Sequence, residues 1–246
     1  MARVSTQGSN QNHATFAHVG RSYYPIFVAV FTAVLLISNI AATKGVAFFE
    51  GEELSFGPLQ ILPLITDGGF FLFPLAYIIG DVLSEVYGFK AARRAIYTGF
   101  ACLILAALSF WMLLALPPAE FYVNQESLEA VVGVYPRLLL AGLAGYLVGQ
   151  LLNAGVLVLI KEKTKEKHLW ARLIGSTIVG EFFDTLIFCS IAAGAIGIST
   201  WEDFVNYVIV GFLWKTLAEI VVMPLTYRVI NYVKKHEPSY SVPAGD

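Results

Sequence analysis

The stretch Phe70-Phe71-Leu72-Phe73-Pro74-Leu75-Ala76-Tyr77-Ile78-Ile79-Gly80-Asp81-Val82-Leu83-Ser84-Glu85-Val86-Tyr87 decides the fold. It approaches the roughly 20 apolar residues that a helix needs to cross a bilayer, yet it holds two carboxylic acids four residues apart. Similar apolar stretches cover about 24–43, 95–116, 137–160, 171–198 and 204–232. Across the 246 residues, 57% are apolar and 14% charged, where a soluble domain carries about a quarter charged. These proportions predict an all-α integral membrane protein of about six transmembrane helices. Residues 22–235 form its single domain, between a disordered tail over 1–21 and a loose one over 236–246. The connector 44–69 holds an apolar patch, Leu59 to Ile65, broken by Pro58 and Pro63. That patch is too short to span and reads as a surface hairpin or re-entrant piece.

Lys and Arg are retained on the cytosolic side of a membrane, and here they cluster by loop. Lys90, Arg93 and Arg94 follow the second span. Lys161, Lys163, Lys165, Lys167 and Arg172 follow the fourth, and Lys234 and Lys235 follow the sixth. All fall on one face if both termini are cytosolic. Ile78-Ile79-Gly80-Asp81-Val82-Leu83 in the second span is echoed by Ile178-Val179-Gly180-Glu181-Phe182-Phe183 in the fifth. Three spans per half place these halves in opposite orientations, the inverted-repeat plan of many secondary transporters.

Ionisable groups within hydrocarbon are expensive and need a partner, a wet cavity or a task. Asp81 and Glu85 share a face of the second span, Glu181 and Asp184 of the fifth, Lys215 and Glu219 of the sixth, because spacings of three and four stack on one helical stripe. Lys215 and Glu219 can neutralise each other, and Glu85 can pair with Arg93 or Arg94. Asp81, Glu181 and Asp184 have no evident cation, so packing explains them poorly. Asn39, Gln150 and Asn153 add amides that serve as helix–helix glue or as ligand contacts. This excess of acid favours protons or a cationic or hydrogen-donating solute, since an ionised carboxylate only accepts hydrogen bonds. It can accept two adjacent N–H groups, as on the edge of a guanine-like base.

Other classes leave little trace. There is no phosphate-binding G-x-x-x-x-G-K-[ST] loop and no H-E-x-x-H. All four histidines (His13, His18, His168, His236) lie outside the spans. Cys102 and Cys189 sit in apolar runs without metal spacing. No metal, cofactor, nucleic-acid partner or enzymatic activity is expected, although Asp81 and Asp184 could in principle form an aspartyl dyad. A substrate-binding subunit of an ATP-driven system and a proton or cation channel remain rival readings.

Several segments resemble the queuosine precursor transporter family, also described as the vitamin uptake transporter family. They are Phe73 to Gly88 with Ala92-Arg93-Arg94, Gly149-Gln150-Leu151-Leu152-Asn153, Gly175 to Thr185, Trp214-Lys215-Thr216-Leu217-Ala218-Glu219 and Pro224-Leu225-Thr226-Tyr227. The resemblance runs from about Tyr24 to Lys235. It implies a multi-pass inner-membrane importer of 7-deazaguanines, such as 7-cyano-7-deazaguanine and 7-aminomethyl-7-deazaguanine, for salvage into tRNA queuosine. Glu181 departs from the Gln or Asn common at that place, which leaves the preferred precursor open. On this reading the solute sits between spans two, five and six. Asp81, Glu181 and Asp184 accept from it, Asn39, Gln150, Asn153, Glu85 and Glu219 support them, and Lys215 holds a carboxylate or donates to the base. Pairing of two copies is admitted but not required.

Overall fold

The computed structural model describes residues 20–57, 59–133, 135–192 and 199–240. The expected tails over 1–19 and 241–246, Pro58 and the end of the expected fifth span (193–198) lie outside the described residues. The elements in order are α1 (Tyr24–Ala41), β1 (Gly45–Phe48), β2 (Leu54–Phe56), β3 (Leu59–Leu62), β4 (Leu64–Asp67), α2 (Phe73–Ala115), α3 (Gln125–Val132), α4 (Tyr135–Lys163), α5 (Leu169–Ala192) and α6 (Trp201–His236).

Local chemistry sets several of these boundaries. Pro25 falls in the first turn of α1, where its missing N–H has no intrahelical partner to lose. Thr200 caps α6: its Oγ1 accepts from the Asp203 N–H at 3.1 Å and donates to the Asp203 carboxylate at 2.7 Å. Glu202 and Asp203 in the first turn, and Lys234, Lys235 and His236 in the last, complement the helix dipole. Pro224 lies within α6, which remains helical through it.

Five of these helices are long and apolar enough to cross a membrane. The longest, α2, is interrupted at Gly88, whose φ of 78° and ψ of 169° suit a residue without a Cβ. Its neighbours show what happens there. Before α2, Gly69 lies against Ser38 near the end of α1, while Tyr87 stacks edge-on against Tyr24 at the start, with centroids 5.3 Å apart. After Gly88, the Tyr24 hydroxyl donates to the Ala91 carbonyl at 2.9 Å, and Gly99 lies against Leu35 and Phe31. The first segment therefore runs antiparallel to α1 and the second parallel to it. The chain turns back on itself at Gly88. The loop expected between 88 and 94 is helical apart from this glycine.

The connector forms two nested antiparallel ladders, β1 with β4 and, inside them, β2 with β3. The Gln60 N–H donates to Asn206 Oδ1 at 2.9 Å and ties the inner hairpin to α6.

Helices α4 and α5 make the most extensive contact in the structure. Small residues allow it: a Cβ on Gly149 would lie 2.7 Å from the Asp184 Cβ, and one on Gly180 would lie 2.8 Å from the Asn153 Cβ. Such close approach is how helices associate where no water drives them together. The apolar core gathers Phe31, Leu35, Tyr77, Leu83, Ile96 and Leu103. A second cluster joins Val82, Leu157, Leu173, Ile230 and Val233. Outward, Leu105, Trp111 and Val221 are 64%, 66% and 70% exposed. Water disfavours such a surface and lipid suits it. The protein is a helical, multi-pass membrane protein.

Candidate functional site

Three tiers of polar side chains lie along the interior, one above another. The first sits where α2 turns and α6 ends. Glu85, fully buried, accepts from Arg172 Nε at 2.7 Å and Nη2 at 2.6 Å, and from Lys234 Nζ at 2.5 Å. Lys161 Nζ donates to the Glu85 carbonyl at 2.5 Å and lies 3.5 Å from its carboxylate. Glu85 thus takes its partners from α4, α5 and α6 rather than Arg93 or Arg94, and Arg93 instead stands over the Phe89 ring. Arg172, which the sequence places among loop cations, is 1% exposed.

Next to this tier lies an anchored residue of the tail expected to be loose. Glu237 is buried and accepts from the Tyr23 N–H at 2.9 Å, from the Tyr87 hydroxyl at 2.5 Å and from Ser239. Burial pushes its carboxyl up, but the hydrogen bonds from Ser239, Tyr87 and Tyr23 outweigh this and hold it at about 2.

One turn of α2 further in, Asp81 accepts from Asn153 Nδ2 at 3.0 Å. Glu219 accepts from the Thr177 hydroxyl at 2.5 Å. Asp81, Thr177 and Glu219 line one narrow cleft with Leu173, Met223 and Thr226, with room for at most about one water. Glu219 Oε2 is buried and has no hydrogen-bond partner among the described residues, and neither has Asn153 Oδ1.

The third tier lies further along α5 and α6. Lys215 Nζ donates to Asp184 Oδ2 at 2.6 Å and lies 3.7 Å from Glu181 Oε2. The expected neutralisation of Lys215 by Glu219 gives way to this pair. Both residues face inward one turn apart on α6, but α5 presents carboxylates opposite Lys215 and a hydroxyl opposite Glu219. Asp184 therefore does have a cation, supplied by the neighbouring helix. Tyr77 and Tyr146, both buried, stand edge to face with centroids 6.4 Å apart and lie within electrostatic reach of Glu181 and Asp184. Asp67, at the end of β4, lies within reach of Lys215.

The structure thus gathers Asp81, Asn153 and Glu219 in one tier and Glu181, Asp184 and Lys215 in another. Gln150 is 1% exposed, and its Oε1 lies against Gly80. It bridges α2 and α4. Glu85 belongs to the first tier, and Asn39 spends its Nδ2 on the Leu35 carbonyl of its own helix at 2.9 Å. Sequence reasoning passed over Thr177 and Tyr146 and read Arg172 as a loop cation. Thr177 and Tyr146 stand four residues before Glu181 and Gln150, on the same faces, as Tyr77 stands before Asp81, so helical spacing could have found them.

An apolar shell around an interior of facing carboxylates, amides and the cations that pair with some of them is the construction of a membrane transport protein. The chain belongs to the family described as "Putative vitamin uptake transporter", which matches residues 67–229. It is 28% identical over 223 residues to the "Probable queuosine precursor transporter" of Bacillus subtilis (strain 168), covering 87% of this chain and 96% of that one. It is 26% identical over 174 residues to the "Queuosine precursor transporter" of Escherichia coli (strain K12), covering 70% and 76%. No solved structure matches the chain.

Proposed function

We propose that this chain imports queuosine precursors of the 7-deazaguanine class, holding them at the tier of Glu181, Asp184 and Lys215. The observation that carries the reading is Lys215 held between two buried carboxylates on the facing helix. A 7-deazaguanine offers adjacent N–H donors and a carbonyl acceptor on one edge. Glu181 and Asp184 accept from the donors, and Lys215 donates to the carbonyl in exchange for its bond to Asp184. Tyr77 and Tyr146 supply aromatic surface beside the ring, with Gln150 and Asn153 behind them. The names carried by the two relatives support a queuosine precursor as the solute.

The same reading takes the reversal at Gly88 as dividing α2 into two spans, giving six in two inverted halves of three. An unbroken helix of the 43 residues of α2 would be about 65 Å long, twice the hydrocarbon thickness of about 30 Å, which supports the division. The Lys- and Arg-rich turns then share the cytosolic face with both termini, and the Glu85 tier closes that face. Solute enters from the opposite side, and opening of the Glu85 cluster releases it.

The test uses cells that can neither make queuosine precursors nor import them. Given this chain and 7-cyano-7-deazaguanine, they are expected to regain queuosine in tRNA, and Lys215→Met is expected to abolish most of the gain. No recovery with verified membrane expression overturns the assignment.

A further inference from the structure

We propose that Asp81 and Glu219 form a proton-binding site that couples import to the proton gradient, separate from the tier that holds the solute. This rests on the import reading above and supplies its driving force. The two carboxylates come from different helices, α2 and α6, and line the same narrow cleft. Every other acid in these tiers stands by a cation: Glu85 by Arg172, Lys234 and Lys161, and Asp184 and Glu181 by Lys215. Among the described residues no lysine, arginine or histidine lies within 4 Å of Asp81 or Glu219. Each has one neutral donor instead, Asn153 and Thr177.

Two buried negative charges sharing a small cleft without a cation are strongly disfavoured. One proton between them removes the conflict, and Glu219 Oε2, buried and without a partner among the described residues, is the atom left to carry it. The groups facing the pair do not remove the charge. On α2, Glu85 is one turn away and already neutralised. Asn153 faces it from α4, Thr177 and Glu181 from α5, and Tyr77 lies within reach on α2. Thr226 completes the ring from α6. A metal cation fits less well. The Asn153 amide turns its N–H toward Asp81, Thr177 donates to Glu219, and Leu173 and Met223 occupy the rest of the wall.

The placement also explains coupling. Glu219 is one turn from Lys215 on α6, and Thr177 is one turn from Glu181 on α5, a rise of about 6 Å. A solute that rearranges Lys215 and Glu181 therefore acts on the helices that carry the pair. In one cycle a proton binds from the outer side and leaves to the cytosol, with no bond made or broken in the solute.

The test uses the purified full chain in liposomes with labelled 7-cyano-7-deazaguanine. An inside-alkaline gradient of one pH unit is worth about tenfold for one proton, so wild type is expected to accumulate solute about tenfold. Exchange of labelled for unlabelled solute, which needs no net proton movement, gives the reference. In Glu219→Gln the ratio of accumulation to exchange is expected to fall about tenfold, and Asp81→Asn is expected to follow it. Accumulation by wild type that ignores the pH gradient, or that follows a sodium gradient instead, overturns the proposal, as does an unchanged ratio in both variants. Absence of exchange in wild type counts against the solute reading rather than the proton site. Dicyclohexylcarbodiimide, which reacts with protonated carboxyl groups in apolar surroundings, then decides. Modification of wild-type Glu219 or Asp81 that increases from pH 8 to pH 6 sustains the site, and no modification of either at both pH values overturns it.

Discussion

Replacing Gly149 with alanine tests whether the site is held in place by close approach of α4 to α5. The added Cβ would lie 2.7 Å from the Asp184 Cβ, 2.8 Å from the Gly180 carbonyl oxygen and 3.4 Å from the Asp184 Cα. Non-bonded carbons prefer about 3.5–4.0 Å, so the helices must separate by about 1 Å. The obstructing atoms are backbone and Cβ, which no rotamer can move aside. Over-packing of this kind typically costs about 1–3 kcal/mol. Alanine also gains about 1 kcal/mol of helix propensity over glycine, which would mask part of the clash. Gly142→Ala is the control, because it makes the same gain with open space around its Cβ. The difference between the two variants isolates the clash. At about 2–4 °C per kcal/mol for a chain of this size, Gly149→Ala should melt about 2–12 °C below Gly142→Ala. Thermal unfolding of the purified proteins in detergent, followed by intrinsic fluorescence, measures it. Uptake should fall as well, since the displaced segment carries Asp184. Equal melting temperatures would refute the close-contact argument.

Lys215→Met strands the Asp184 carboxylate, and uptake below half-saturation should fall roughly 10- to 150-fold, the worth of about 1.5–3 kcal/mol for a hydrogen bond to a charged group. Adding Asp184→Asn should restore membrane abundance but not uptake; recovery of uptake would reduce the pair to a structural tie. Glu85→Gln leaves Arg172 buried without its carboxylate, a change of about 3–5 kcal/mol, so protein abundance and thermal stability should both drop, and unchanged stability would argue against the cluster. A cysteine at Lys163, exposed at the end of α4, should resist a membrane-impermeant maleimide in intact cells and react after permeabilisation; labelling in intact cells reverses the assigned orientation. For Glu237 the folded carboxyl lies near 2, below its ordinary value of about 4.3. The stability it adds is thus complete above that ordinary value and lost as pH falls toward 2. Hydrogen exchange over 233–240 should be flat, after correction for intrinsic rates, from pH 8 to pH 5, and loosening already at pH 6 would contradict the anchoring.

The spans were legible because lipid imposes a length and a composition that few soluble helices satisfy. The inward stripes were legible because a period of 3.6 puts Asp81 with Glu85, Glu181 with Asp184, and Lys215 with Glu219 whatever the helices pack against. Partners were not legible. Lys215 and Glu219 look like an ion pair along one helix, but which helix faces them, and at what height, is a tertiary fact. Arg172 misled for the same reason: next to a lysine-rich loop it reads as an orientation signal, while the structure turns it inward onto Glu85. The surface-hairpin reading of Leu59 to Ile65 falls on β3 and β4, whereas β1 and β2 escaped because three- and four-residue ladders carry too few alternations to register as a pattern. Gly88 was hidden by context. A lone glycine beside Lys90 and Arg93 reads as the start of a loop, whereas the backbone needs only this one residue to reverse.

The echo between Gly80-Asp81 and Gly180-Glu181 takes on a physical meaning once α4 is in place. A Cβ on Gly80 would lie 2.8 Å from Gln150 Oε1, and one on Gly180 would lie 2.8 Å from the Asn153 Cβ. Both glycines therefore let an acid-bearing helix close onto the same stripe of α4, and each acid follows its glycine into the interior. The two acids are then treated differently. Glu181 has Lys215 nearby, and the tier beyond Asp81 has Arg172, Lys161 and Lys234, while Asp81 itself has only an amide. Charge is compensated toward both ends of the interior and left uncompensated between them. If polar glue were all that this stripe required, Asn at 81 and Gln at 219 would provide it without the expense of an ionisable group in hydrocarbon. Carboxylates at those two places are accounted for by a positive charge that comes and goes.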